Sequence, residues 1–356
     1  MHVLLVEPNF KYVKYPPLGL LKLATYYRNR GYSCALVKKK ESYSGPVPDI
    51  ICITSLFTYA WEPVIKAYTK YRNKYPNANI RIGGIYASLM PDHVKYYCPE
   101  AEIFQGVSDE LDQLVPAWDL VPNWKSSILF TTRGCPNSCE FCAVKNIEPA
   151  YSCKKIDISQ FIYPTHKNLI IQDNNILANK KHWQNIFTQL IQLKFKVDFN
   201  QGLDASYIDV NTASQLKELK IDFIRLAYDQ KDDRDSLQRA IANLKDAGIK
   251  HKNIMVYTLF NFNDSPENFL DRFKDLLEWN VVCYPMKYEP INTLEKNIYT
   301  SSDWSENDLE LLADARRVLG WGGSFIPHQG LKEKIFSAKS FEEAFSLRPI
   351  QKKVTK

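Results

Sequence analysis

Apolar residues in the first hundred positions come in short runs: HVLLVE at 2–7, CALVK at 34–38, IICITS at 50–55, IRIGG at 80–84 and AEIFQG at 101–106. Each run is too short for a helix and too rich in β-branched residues for a loop. Amphipathic stretches such as LGLLKLATYYRNRG and WEPVIKAYTKYRNKYP separate them. The alternation predicts a doubly wound, Rossmann-like parallel sheet of about five strands.

A second rhythm begins near Ser127. SILFTT, NLIIQD at 168–173, KVDFN at 196–200, FIRLAYD at 223–229, NIMVYTLF at 253–260 and VVCYPMK at 281–287 read as strands. Helical patterns fill the gaps near 179–193, 207–219, 235–247 and 266–278. Six strands alternating with helices predict an incomplete α/β barrel, with its chemistry at the C-terminal ends of the strands. The polar stretch AWDLVPNWKSS at 117–127 marks a boundary, and beyond about 291 the pattern turns helical. The expected α/β organisation is a doubly wound domain over 1–120, a partial (β/α)6 barrel over 121–290 and a helical C-terminal extension over 291–356.

Composition changes this picture little. No run of about 18 uncharged apolar residues is present, and Glu7 interrupts the N-terminal apolar run, so neither a membrane span nor a signal peptide is expected. Cys34, Cys52, Cys98, Cys153 and Cys283 are scattered without framework spacing, which fits a reducing cytoplasm. A net charge of +6, from 46 basic and 40 acidic residues, permits a nucleic-acid partner without arguing for one. KKK at 38–40 and the tail QKKVTK read as solvated surface.

The chemistry concentrates in RGCPNSCEFC, where Cys135, Cys139 and Cys142 fall within eight residues. Four cysteine thiolates saturate an iron-sulfur cube, whereas three leave one iron open to a small molecule. The loop follows the first barrel strand, which sets that open corner over the barrel mouth. The spacing, with Phe141 before the last cysteine, closely resembles the signature of the radical S-adenosylmethionine superfamily. That resemblance implies a [4Fe-4S] cluster on the three cysteines, S-adenosylmethionine chelated at the open iron, and a 5′-deoxyadenosyl radical that takes hydrogen from a substrate. It also implies an electron donor such as flavodoxin or ferredoxin, and it counts Phe141 with the cofactor-binding residues.

YPPLGLLKLA at 15–24, GGIYAS at 83–88 and GVSDE at 106–110 resemble the cobalamin-binding-type domain that precedes many of these barrels. The histidine that ligates cobalt in many relatives is missing, because no histidine lies between His2 and His93. Cobalamin held without that ligand remains an alternative, and methyl transfer would then be the leading outcome. Two other readings stand beside this one. A methylthiotransferase would hold a second cluster, for which Cys34, Cys52 and Cys98 are the available thiols, although two of them sit in strand interiors. A zinc-binding, nucleic-acid-binding module would draw its fourth ligand from a distant histidine, His166 being nearest.

The remaining candidates lie at strand ends. Asp173 and Asn174 form a polar burst after NLII, in the segment where relatives hold the methionine amino group, though the usual glycine-glycine-glutamate form is absent. Asn200, Gln201 and Asp204 follow the third strand, with capping as the alternative duty for Asn200 and Asp204. Arg225 inside the fourth strand must meet a carboxylate, either the ligand's or that of a residue such as Asp204. Tyr257 is expected to face the cavity. Cys283 and Tyr288, near the last strand, are candidate hydrogen donors to a product radical, with packing as the other account. WGGSF at 321–325 reads as an aromatic loop, a lid without assignable chemistry.

Overall fold

The computed structural model describes residues 1–11, 13–39, 41–319 and 322–346. Lys40, Trp321 and the basic tail at 351–356, singled out in the sequence, lie outside the described residues. The chain divides into two units, one of Met1–Asn174 with Glu289–Ile298 and one of Asn175–Tyr288 with Tyr299–Lys356.

Six consecutive buried residues form β1 (His2–Glu7), as a central parallel strand requires. After α1 (Leu18–Arg28) come β2 (Ser33–Lys38), β3 (Ile50–Ser55), α2 (Glu62–Lys74) and β4 (Asn79–Gly84). Then follow α3 (Ile85–Leu89), α4 (Pro91–Tyr97), β5 (Glu102–Phe104) and α5 (Asp109–Asp112). All five strands are parallel in the order β2-β1-β3-β4-β5, so the strand order, not the strand direction, reverses between β1 and β3. Alternation along β1 builds two cores. Val3 and Leu5 pack with Leu20, Ala24 and Tyr27 of α1, while Leu4 and Val6 pack with Val64, Tyr68 and Tyr71 of α2. At the end of β4, Gly84 has φ of 111°, and a Cβ there would lie 2.2 Å from the Ser55 carbonyl oxygen. Only glycine lets β3 and β4 end side by side before the turn into α3.

The same unit carries β6 (Ser126–Leu129), β7 (Thr132–Arg133), α6 (Val144–Ile147), β8 (Ser152–Cys153) and β9 (Asn168–Ile171). β6 and β9 are parallel, whereas β7 and β8 form a two-residue antiparallel ribbon. The single strand expected over SILFTT therefore breaks after Leu129. The segment Glu289–Ile298 also belongs here, with the Thr58 hydroxyl donating to the Ile291 carbonyl at 3.2 Å.

In the second unit α7 (Lys180–Leu193), β10 (Lys196–Phe199), α8 (Val210–Glu218), β11 (Lys220–Ile221) and β12 (Ile224–Ala227) lead to α9 (Arg234–Asp246). β13 (Ile254–Phe260), α10 (Pro266–Glu278) and β14 (Val282–Lys287) complete the strand-helix alternation. β10 pairs with β11, and β12, β13 and β14 run parallel to one another. The six expected barrel strands correspond to β6, β9, β10, β12, β13 and β14. α10 starts as its sequence dictates, with Ser265 accepting the Asn268 N–H and Pro266 in the first turn.

α11 (Glu306–Leu319), α12 (Gln329–Ser337) and α13 (Phe341–Phe345) form the helical extension. Phe345 sets its ring 5.5 Å from Phe273 of α10, which in turn meets Phe325 at 5.1 Å. Beside them Arg272, 1% exposed, donates to Asp264 at 2.6 Å and to the Tyr228 carbonyl at 2.6 Å, while the Trp304 indole donates to the Asp264 carbonyl at 2.8 Å. A buried charge left without its partner is costly. Arg272→Met is expected to lower stability by about 3–5 kcal/mol in urea unfolding, and adding Asp264→Leu to it should recover part of that loss.

Candidate functional site

The cysteine loop is fixed at its entry by backbone bonds to one buried carboxylate. Asp173, at the end of β9, accepts the N–H groups of Thr131 at 2.6 Å and Thr132 at 3.0 Å, and the Thr131 hydroxyl as well. These bonds draw the chain out of the sheet ladder after Leu129, which is why SILFTT does not continue as one strand. Asp173, expected to meet the methionine amino group, is thus occupied by the chain itself. Burial pushes its carboxyl up to about 6, against the pull of these donors.

Beyond Arg133, Gly134 adopts φ of 69°, and a Cβ there would lie 2.3 Å from the Ala150 carbonyl oxygen. That close approach lets the loop turn away, carrying Cys135, Cys139 and Cys142 half-buried, with Phe141 half-buried between the last two. The Cys142 N–H donates to the Cys139 carbonyl at 3.1 Å. Among the described residues, no three Cys, His, Asp or Glu side chains are gathered as they would be around a single metal ion. A four-iron cube makes a different demand, because its thiolates bind separate irons and stand further apart. Three half-buried thiols on one pinned loop suit that donor set.

Glu148, just after α6, closes the loop from the other side. Its carboxylate accepts the Gly134 N–H at 2.7 Å, the Asn174 side-chain amide at 3.0 Å and the Arg133 guanidinium at 2.9 Å. Arg133 also forks onto Asp112 with two bonds of 2.7 Å. Asp112 takes Lys22 at 2.9 Å and Lys154 at 2.5 Å in addition, and these cations hold its carboxyl far below the ordinary carboxylate range. Ser108 caps α5 by accepting the Leu111 N–H, which orients Asp112 inward. Phe130 places its ring 3.4 Å below the Arg133 guanidinium. Nothing in the sequence pointed to Glu148 or Asp112. The acidic GVSDE stops two residues short of Asp112, and no spacing rule links residue 112 to residue 133.

In the second unit Arg225 pairs with Asp198 of β10 rather than with Asp204. Residues 198 and 225 both lie on half-buried strand positions, and the guanidinium also bonds to the Phe199 carbonyl at 3.5 Å. Asp204 instead caps the turn at Ala205–Tyr207 by accepting the Ser206 N–H at 3.0 Å, and it takes the Asn175 side-chain amide at 2.9 Å. Asn200 is half-buried and Gln201 exposed beside Gly202, whose φ is 89°. Tyr257 meets Tyr284 edge-on at 5.1 Å on the half-buried face of β13 and β14.

Cys283 does not lie on that face. It is fully buried, 3.5 Å from the Thr258 hydroxyl, with backbone bonds in both directions to Phe325, and burial pushes its thiol up to about 12. Closed to solvent, this thiol is poorly placed for the expected role of hydrogen donor. Tyr288 packs against Phe262 and Tyr299 at 4.6 and 5.3 Å, as an aromatic cluster would.

No family model matches the chain, and no curated protein does. Among solved structures, the radical S-adenosylmethionine methyltransferase TsrM from Kitasatospora setae, solved with tryptophan substrate and an S-adenosylmethionine analogue, superposes with a TM-score of 0.62. The match covers 89% of this chain and 77% of that one at 13% identity. The likeness to that methyltransferase is one of fold. The radical S-adenosylmethionine enzyme HemN, coproporphyrinogen III oxidase from Escherichia coli, is also similar, with a TM-score of 0.40 over 59% of this chain and 57% of that one at 13% identity. The mixed α/β fold with its parallel sheets agrees with the fold class expected from the periodicity.

The Asp173 carboxyl gives a pH test of the loop anchor. Held up at about 6, it keeps its proton in the folded chain where an unfolded chain, with an ordinary pKa of about 3.9, has lost it. This contribution to stability is complete below about pH 4 and is lost as pH rises through about 6. Asp173→Asn is expected to flatten the fall in melting temperature over that range. An unchanged slope would assign the fall to other groups.

Proposed function

We propose that this chain is a radical S-adenosylmethionine enzyme, with Cys135, Cys139 and Cys142 holding a [4Fe-4S] cluster whose open iron takes S-adenosylmethionine. The observation that carries this reading is the trio of half-buried cysteines on one loop after the first barrel strand, entered through the Gly134 turn. Bound there, the cluster would supply the electron that cleaves S-adenosylmethionine and yields a hydrogen-abstracting radical. The chain's own residues pin the loop: Asp173 holds its entry and Glu148 its first turn. Asn174, Asn200, Gln201, Tyr257 and Phe141 remain the candidates for S-adenosylmethionine contacts. A low-potential flavodoxin or ferredoxin would deliver the electron, and residues 1–120, 121–290 and 291–356 would act as cobalamin-type domain, barrel and cap.

Methyl transfer is the first reaction to assay, because TsrM is a methyltransferase. Cobalamin bound through histidine has no support in the first unit, where His93 takes a 2.5 Å hydrogen bond with Tyr86 and packs edge-on against Trp61. A second cluster on Cys34, Cys52 and Cys98 is disfavoured, since Cys52 belongs to the core on the α1 side of the sheet and Cys98 to that on the α2 side. Burial pushes both thiols up to about 12. The zinc reading is disfavoured at the histidine nearest in sequence. His166 is buried, 3.0 Å from the Ser127 hydroxyl and edge-on to Trp118. Among the described residues no helix is long and apolar enough to cross a membrane.

Anaerobic reconstitution followed by electron paramagnetic resonance tests the reading. The reduced protein is expected to give a cubane signal that shifts on addition of S-adenosylmethionine and disappears in Cys139→Ala. Stoichiometric zinc with no such signal would refute it. Gly134→Ala is expected to lower cluster content at least severalfold, because its Cβ would strike the Ala150 carbonyl.

A further inference from the structure

The charge network beside the cysteine loop holds more cations than carboxylates. Lys22, Arg133 and Lys154 meet Asp112 and Glu148, and no side chain of the five is more than 12% exposed. One positive charge is therefore in excess where water and salt screen poorly. The Phe130 ring, below Arg133 and 5.8 Å from the Lys22 ammonium, covers two of the cations with apolar surface. An additional acid, Asp109, stands 3.8 Å from Lys154 but is 91% exposed, so solvent weakens its influence. The network reaches the loop through covalent and hydrogen bonds: Arg133 directly precedes Gly134, and Glu148 accepts the Gly134 N–H next to Cys135.

Glu148 and Arg133 help to hold the loop, but Lys22 and Lys154 bond to Asp112 and to no atom of the loop's own turn. Burying five charges is costly unless their field serves some purpose or each is fully paired. Three thiolates on a four-iron cube carry net negative charge, and that charge grows by one when a single electron arrives from a reduced flavodoxin or ferredoxin. No bond is made or broken in that step and no proton is taken up. A fixed buried cation favours the added charge and a fixed buried carboxylate opposes it.

We propose that Lys22, Arg133 and Lys154, balanced by Asp112 and Glu148, set the reduction potential of the cluster assigned to the three cysteines and bias it toward the reduced state. This rests on the radical S-adenosylmethionine reading and deepens it. The five residues are positioning residues that act on the cluster through their charge.

The test is an anaerobic redox titration of the reconstituted protein, read by electron paramagnetic resonance, for wild type, Lys154→Met, and Lys154→Met combined with Asp112→Asn. Lys154→Met is expected to shift the midpoint negative by about 59 mV, a tenfold change in a one-electron equilibrium. The double variant restores the excess of one positive charge, so its midpoint should return toward wild type even though its apoprotein melts lower. A purely structural role predicts the reverse, with the double variant further displaced than the single. Equal midpoints for wild type and Lys154→Met would overturn the proposal, and so would a double variant further from wild type than the single. Should the double variant not fold, Lys22→Met takes its place, and a midpoint that fails to move negative overturns the proposal equally. Lys66→Met, at an exposed cation paired with Glu62 on α2, is the control expected to leave the midpoint unchanged. A wild-type chain that builds no cube refutes the functional reading itself, before any variant is compared.

Discussion

A carboxylate with three cations upon it, almost closed to water, organises the first unit. Asp112 binds Lys22 from the first helix, Arg133 from the strand that enters the cysteine loop, and Lys154 just past the strand that leaves it. Removing charges of this kind from water is unfavourable one at a time and tolerable only when every partner is present. Lys22, Arg133 and Lys154 must therefore arrive together, and with them the doubly wound sheet, the entry strand and the exit strand. The geometry of the loop is thereby tied to the folding of the five-stranded sheet in the same unit, although none of the three cysteines lies in that sheet.

Around this network, hydrogen bonding to the backbone does the finer positioning. Asp173 takes two consecutive amides that a continuous strand would have donated to a neighbour, and Glu148 takes the next but one. Each diverts a donor that could not be left unpaired in a buried place. The loop is thus a sheet strand redirected by two carboxylates, with glycine at the point where chain meets chain.

The strands and helices were legible in the sequence because their signal is local. β1, β3 and α10 coincide with the apolar runs or helical stretch read for them, and Ser265 and Pro266 mark the start of α10 as capping rules require. The cysteine trio was legible for the same reason, since its chemistry lies within eight residues. What stayed hidden depends on contacts distant in sequence. Arg225 required a carboxylate, but nothing local distinguishes Asp198 from Asp204 as its partner. Cys283 read as a donor from its place near the last strand, and only the fold reveals that it is fully buried and pairs backbone to backbone with Phe325. Asp173 read as a ligand contact because a polar residue after an apolar run marks a strand end, whether its partner is a cofactor or the neighbouring backbone.

The segment Glu289–Ile298 follows the last barrel strand in the chain yet belongs with the first unit, where Ile291 accepts the Thr58 hydroxyl and Glu289 the Asn297 N–H. During synthesis, then, the N-terminal unit has most of its residues long before it has all of them. Its last piece leaves the ribosome only after the strands and helices between Asn175 and Tyr288. Domains that mature from the N-terminus onward would normally be finished by that stage. Here completion waits on a contact more than two hundred residues away, which makes late-stage maturation of the first unit dependent on the emergence of the second.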